Sequence, residues 1–331
     1  MSSVDLMKLI QRNVLSLEPY HVEDNDCEIK LHANENPFPP SKELLDLFSA
    51  SLQKLQLNRY PDPDSKALKD SIANRLDIKT ERLVIGNGSD EIILFLLQVF
   101  CQEGDTIIFP EPTFAMYSII AQSLSIKSAS ISLDSQWNFN ADVLLRSAEE
   151  NNSRIIFLSY PNNPTGNCFS DIQVQKVIES FQGIVVIDEA YHDFSRKSFI
   201  NQIEEHNNLV VLRSLSKIGL AALRVGFGVA DPLVINEINK VRLPYNSNTI
   251  SQTFAEHLTT NFEAVQEQID SIVDERHRLL GELQKIESVT AFPSDSNFIL
   301  FKTEKSANNI FTYLSKNGIL VRNLSSHPKL N

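Results

Sequence analysis

The chain predicts an α/β fold, with a mostly parallel sheet sandwiched by helices and a smaller α+β domain beside it. Three observations carry this. Seven short apolar runs, at 83–85, 106–109, 126–131, 155–158, 184–187, 210–212 and 225–229, read as strands buried on both faces. Amphipathic stretches at 90–102, 113–123, 141–151 and 170–182 separate most of them, and such alternation builds a parallel sheet with covering helices. Beyond residue 251 the pattern changes. Helical periodicity runs to residue 285, and short apolar runs then return at 289–292, 298–301 and 319–321 around a helix near 307–316.

The segments before the alternation are read in chain order. Residues 2–11 suit a short helix. Pro37, Pro39 and Pro40 exclude helix from the loop that follows the apolar run 29–31. Ser41 can cap a helix carrying Leu44, Leu45, Phe48, Leu52 and Leu55 at helical spacing. Arg59-Tyr60-Pro61-Asp62-Pro63 stops it, and 64–76 reads as the next helix. The run 251–285 is read as one long helix bridging to the smaller domain. This divides the chain into a large domain at 46–264 and a small one built from 1–45 and 265–331.

Composition narrows the function. At 331 residues the chain exceeds what one core usually serves. A net charge of -12 argues against nucleic acid as the main partner. Three scattered cysteines supply neither a disulfide framework nor a zinc site, so no metal is expected, and the odd count fits a reducing cytoplasm. No secretory leader and no run long enough for a bilayer stand out. The expectation is a soluble cytoplasmic protein.

Ligands of open α/β sheets gather at the carboxyl ends of strands, where the polar signals of this chain fall. Gly86-Asn87-Gly88-Ser89-Asp90-Glu91 joins a strand to a helix start that could cradle a phosphate, or is an ordinary turn capped by Ser89. Phe114, after the second strand, could stack on a planar ring or belong to the core. Asn163 is held between prolines, where its amide could bond a ring oxygen or serve its own turn. Asp188 ends a buried apolar strand, where it could keep a pyridine nitrogen protonated, and Tyr191 follows three residues on. The same string resembles the metal-binding strand of a P-loop ATPase, but the chain has no Gly-Lys dipeptide for the matching loop. Ser214 and Ser216 flank Lys217, with Arg224 seven residues on. The amine can form a Schiff base with a carbonyl cofactor while the hydroxyls and guanidinium hold its phosphate. Cationic neighbours, Arg224 and the ring, are expected to lower the lysine's pKa. In this order the signals match pyridoxal phosphate chemistry.

With those residues in view, the chain resembles the fold-type I pyridoxal-phosphate enzymes, specifically the histidinol-phosphate aminotransferases. The likeness runs nearly end to end. It rests on Leu31-His32-Ala33-Asn34-Glu35-Asn36-Pro37, Arg59-Tyr60-Pro61-Asp62-Pro63, the Gly86–Glu91, Pro161–Gly166 and Ile187–Tyr191 strings, and the Lys217 segment. The resemblance implies that Lys217 bonds the cofactor and shuttles the proton, Asp188 pairs with the pyridine nitrogen, and Asn163 and Tyr191 bond the ring oxygen while Phe114 stacks. Gly88, Ser89, Asp90, Ser214, Ser216 and Arg224 would surround the cofactor phosphate, Ser89 and Asp90 mainly through backbone N–H groups. Tyr60 would reach the phosphate site of a neighbouring subunit, making a homodimer. Tyr20 and Arg322 would contact the substrate phosphate. The implied reaction belongs to histidine biosynthesis. L-Glutamate is the amino donor and imidazole acetol phosphate, the phosphorylated keto acceptor, becomes L-histidinol phosphate.

The family more often places one further residue between the lysine and the arginine, and both spacings complete about two turns of an α-helix. The family also continues into a strand carrying another arginine, which this chain, ending at Leu330-Asn331, does not contain. The expectation is of a C-terminally truncated chain with an unpaired edge in its small domain. A transaminase for aromatic or other amino acids, a decarboxylase acting on threonine phosphate, and a silent protein that only binds pyridoxal phosphate remain open at this point.

Overall fold

A computed structural model describes residues 4–19, 26–327 and 329–330. Its strands are Ile29–Lys30 (β1), Leu83–Asn87 (β2), Thr106–Glu111 (β3), Lys127–Ser132 (β4), Ser153–Ser159 (β5), Ile184–Asp188 (β6), Leu209–Ser214 (β7), Val225–Ala230 (β8), Val289–Ala291 (β9), Phe301–Thr303 (β10) and Ile319–Leu320 (β11). Strands β2 to β8 form one sheet in the order β2-β8-β7-β6-β5-β3-β4. All its pairings are parallel except those of β8, which runs antiparallel to β2 and β7.

Most of these runs are strands because both their faces are buried; the edge strand β4 is the exception, with only Ile131 buried. Ile156, Leu158, Val185, Ile187 and Val211 join one core, while their alternate neighbours Ile155, Phe157, Val186, Val210 and Leu212 join another. Two-sided burial needs apolar residues at successive positions, and the runs of the inner strands supply them, whereas β4 carries Lys127, Ser128 and Ser130 at the sheet edge. Helices Lys42–Leu52, Lys66–Leu76, Ala141–Glu150 and Asp171–Ser180 cover the first face; Ser89–Phe100, Met116–Ser123 and Pro232–Val241 cover the second. Full burial of each such side chain stabilises the fold by roughly 1.5–3 kcal/mol, more than the ~1 kcal/mol span of strand propensities.

Three details differ from the sequence expectations. The run at 251–285 is two helices, Thr249–Thr260 and Glu263–Leu283. β-Branched Thr259 and Thr260 end the first, and the Asn261 amide donates to the His257 carbonyl at 2.8 Å, closing it off. The strand expected at 298–301 lies at Phe301–Thr303, because Ser294 and Ser296 turn the chain first: Ser294 Oγ donates to Phe298 O at 2.5 Å and accepts from Ser296 N at 3.0 Å. Helix Pro232–Val241 was not expected, although its signals are ordinary ones. Asp231 caps it through Leu233 N at 2.9 Å, Pro232 opens it, and Val234, Ile235 and Ile238 bury one stripe. Ser41 caps its helix as expected, accepting from Leu44 N at 3.2 Å.

The N-terminal segment returns to the far end of the chain. β1 pairs parallel with β11, Ile29 facing Ile319, while β9 and β10 form an antiparallel pair. Among the described residues no helix is long and apolar enough to cross a membrane.

Behind the sheet edge, Glu189 and Arg213 form a buried ion pair at 2.9 Å that ties the end of β6 to β7. Ser198 Oγ lies 2.7 Å from Glu189 Oε2, and Phe199 N donates to Oε1 at 2.7 Å. Removing one member would strand the other charge without water. Glu189→Ala is therefore expected to lower unfolding free energy by roughly 3–5 kcal/mol, read as a shifted urea midpoint with an unchanged slope.

Candidate active site

The site is built where strands end. β2, β3, β5, β6 and β7 run in one direction and deliver Gly88, Phe114, Asn163, Asp188 and Lys217 to the same edge of the sheet. The chain steps from β3 to β4 in one direction and from β5 onward in the other. Their shared edge is thus the switch point at which such sheets bind ligands. β8 alone runs back, which brings its first residue to this edge: Val225 faces Asn87 and Gly226 faces Ser214.

Arg224 stands immediately before β8. Helical spacing would set it above Lys217 on one face of an α-helix, but the segment between them is not an α-helix. Residues 215–223 form two 3₁₀ turns, Leu215–Ile218 and Ala221–Leu223, separated by Gly219 at φ 124°, and Arg224 itself is left-handed at φ 53°. The strand reversal, not helical spacing, brings the guanidinium in. Arg224 Nη1 donates to Ser216 Oγ at 3.3 Å and Nη2 to Asp90 Oδ2 at 3.1 Å. Ser214 Oγ accepts from Ser216 N at 3.2 Å. Gly88, at φ 84°, occupies the N-cap position of helix Ser89–Phe100, so Ser89 is its first residue and not its cap. A Cβ on Gly88 would lie 2.5 Å from Arg224 Nη2, the movable end of that side chain, while the backbone at φ 84° disfavours any residue with a Cβ.

Lys217 Nζ donates to Ala33 O at 3.0 Å and stands 5.6 Å from the centre of the Tyr191 ring. Burial is the largest cause of its lowered pKa; Glu35 and Asp90 pull the other way, and Arg224 and Arg322 add to the lowering. Arg224 thus acts in the expected direction but is the lesser cause.

Asp188 is buried at the end of β6. Its hydrogen-bond partners are both neutral: the Tyr117 hydroxyl donates to Oδ2 at 2.8 Å and Ala190 N to Oδ1 at 3.2 Å. Burial raises its pKa to about 6 against the pull of those two donors, and the Asp90 and Glu189 charges raise it further. Tyr191 Oη receives the amides of Asn34 at 3.1 Å and Asn163 at 3.3 Å. Its pKa is pushed up to about 12, first by burial, with the Asn34 bond opposing. Phe114 is half-buried and meets the Tyr117 ring edge-on at 5.5 Å.

The remaining expected residues lie elsewhere. Arg322 is exposed and shares the wall of a cleft of about 1130 Å³ with Asn34 and Asn163. Tyr60 is 80% exposed, stacked on Tyr245 with centroids 4.6 Å apart. Tyr20 lies outside the described residues. Two contributors were absent from the sequence-based set. Asn34 is left-handed at φ 55°, a conformation asparagine tolerates, in the proline-rich loop; its carbonyl accepts from Asn297 Nδ2 at 3.0 Å. Tyr117 sits at an apolar position of a helix and reads there as core.

Asp188 sets a pH dependence. Its folded pKa of about 6 lies above the ordinary 3.8, so folding takes up a proton in that window. The ligand-free protein loses stability as pH rises from about 4 through about 6, by up to roughly 3 kcal/mol for this group. Asp188→Asn is expected to be more stable than the parent at pH 7, with the gap closing toward pH 4, as followed by thermal unfolding without ligand.

A family profile described as aminotransferase class I and II matches residues 27–328. The chain is 38% identical over 323 residues to histidinol-phosphate aminotransferase 2 of Nitrosococcus oceani, covering 97% of this chain and 90% of that protein. It is 38% identical over 319 residues to the histidinol-phosphate aminotransferase of Aquifex aeolicus, covering 96% and 90%. The histidinol-phosphate aminotransferase of Sinorhizobium meliloti, solved with pyridoxal-5'-phosphate, superposes with a TM-score of 0.86 at 20% identity over 95% of this chain and 88% of its own, which bears on the fold. The parallel sheet, the edge at which its polar residues meet and these two relatives lead to one assignment: the chain belongs to the class I and II aminotransferases, in the histidinol-phosphate aminotransferase family.

Proposed function

We propose that this enzyme uses pyridoxal phosphate to transfer an amino group from L-glutamate to imidazole acetol phosphate, giving L-histidinol phosphate and 2-oxoglutarate, as a cytoplasmic homodimer. We further propose that it is built from a large domain at 46–264 and a small domain from 1–45 and 265–331. The observation that carries the chemistry is Asp188, a buried acid whose partners are both neutral. A carboxylate held so has lost water without gaining a cation, and a protonated ring nitrogen supplies one. The cradle of Gly88, Ser216 and Arg224, with a glycine at the left-handed turn before the helix start, suits the cofactor's phosphate.

When bound, pyridoxal phosphate supplies an aldehyde that condenses with amines and a cationic ring that withdraws electrons from the bond being broken. Everything else falls to side chains. Lys217 Nζ, lowered in pKa by burial, would be the base that takes the proton from the donor's α-carbon and delivers it, on the same face, to the cofactor carbon that comes to bear the amino group. Asn163 and Tyr191 orient the ring through its oxygen. Ser89 and Asp90 offer backbone N–H groups, with the Ser214 and Ser216 hydroxyls and Arg224 completing the phosphate site. Phe114 walls the ring. Arg322, on the wall of the same cleft as Asn163, takes the substrate phosphate together with Tyr20.

The relatives' names support the substrate, since both carry histidinol phosphate at 38% identity over nearly the whole chain. The three cysteines are free, in keeping with a reducing compartment. The exposed Tyr60 and Tyr245 pair supports the dimer, because two stacked rings face outward where a partner subunit could use them.

Lys217→Ala is expected to lose the protein's visible absorption with pyridoxal phosphate, and glutamate-dependent formation of histidinol phosphate by at least about 10²–10⁴-fold; retained turnover would remove Lys217 from the reaction. Arg322→Ala is expected to raise KM for histidinol phosphate about tenfold or more and to spare binding of the cofactor. Mixing Lys217→Ala with Tyr60→Ala subunits should restore about a quarter of the parent's sites, because each mixed dimer keeps one intact site. No restoration would place Tyr60 in its own subunit's site or outside both.

A further inference from the structure

We propose that Tyr117 is a positioning residue for the cofactor: its hydroxyl fixes the Asp188 carboxylate while its ring backs Phe114, so one side chain sets both the acid and the aromatic wall. The proposal rests on the pyridoxal phosphate reading above. Tyr117 lies on the first turn of helix Met116–Ser123 with no exposed surface. Its ring stacks on Phe157 of β5 at 4.7 Å and 16°, lies 6.0 Å from Phe109 of β3, and meets Phe114 edge-on at 86°. Phenylalanines make up this surrounding cluster, and a phenylalanine at 117 would pack there as well. Burying a phenol in such a place is unfavourable unless its hydroxyl is bonded, and it is bonded to Asp188 Oδ2 at 2.8 Å.

That bond has a definite geometric effect. Ala190 N holds Oδ1 and Tyr117 holds Oδ2, so the two donors set the carboxylate plane from opposite oxygens. Each oxygen keeps a lone pair for one more donor. Without the hydroxyl, the carboxylate turns about its last torsion, where rotamer preferences are broad. The ring and hydroxyl of Tyr117 belong to one rigid group, which links the acid, through the hydrogen bond, to the aromatic wall, through the ring contact. The arrangement matters only for a ligand that offers Asp188 a protonated ring nitrogen.

The test compares two ligands on the full-length protein: pyridoxal phosphate and its analogue with CH in place of the ring nitrogen. Dissociation constants are measured for the parent, Tyr117→Phe and Phe114→Leu. The expected result is that Tyr117→Phe weakens pyridoxal phosphate about tenfold or more and leaves the analogue within twofold, whereas Phe114→Leu weakens both alike. Equal weakening of both ligands by Tyr117→Phe would reduce Tyr117 to packing and overturn the proposal. So would a variant that keeps the parent's full preference for the nitrogen-bearing ring. A parent protein that binds neither ligand, or shows no preference between them, would instead overturn the cofactor reading or the Asp188 pairing, and the proposal with it.

Discussion

The central sheet is covered on both faces, and that constraint organises the rest. A strand such as 184–188 has apolar neighbours on each side of the pleat, so a polar side chain along its length would lose water with nothing to replace it. Ends are the only places where these strands can carry chemistry. Six of the seven strands run one way, which gathers their ends on a single edge, and the reversed β8 returns Arg224 to that edge. The cationic end of the site therefore follows from strand direction, which a local spacing rule cannot represent.

Burial also sets the electrostatics. The same loss of water that raises Asp188 lowers Lys217, so both groups are pushed toward their neutral forms in the ligand-free protein. For the lysine this favours the nucleophilic and basic form. For the aspartate it means the folded protein bears an unfavourable charge at neutral pH that a cationic ligand relieves. Such a charge held without a cation costs stability in the ligand-free protein, a common feature of sites shaped by function.

Much of this was legible in the chain. Every strand of the main sheet overlaps an expected run, most plainly the inner ones, because two-sided burial leaves a continuous apolar signature that the edge strand β4 lacks. Gly88, Asn163, Asp188, Lys217 and Arg224 stand beside recognisable strand ends or turns. What was not legible depends on contacts distant in sequence. Tyr117 reaches Asp188 across 71 residues, and Asn34 reaches Tyr191 across 157. A tyrosine at an apolar helical position and an asparagine in a proline-rich loop each have an ordinary local explanation, and nothing nearby marks the oxygen they meet. The break at Asn261 was hidden for the opposite reason: its flanking helices share a periodicity that runs through it.

The parallel pairing of β1 with β11 joins residues separated by about 290 positions. Closing so long a loop is entropically unfavourable, and it is reached late in a chain made from its N-terminus. The loop that follows β1 carries Ala33, whose carbonyl holds the Lys217 amine, and Asn34, which holds Tyr191. On the ribosome, residues 29–34 are made early yet β1 has no strand to join until residues 319–320 have been made. The loop that holds the lysine amine and the Tyr191 hydroxyl is thus fastened by a strand from the other end of the chain, which ties the geometry of the reactive edge to residues made last.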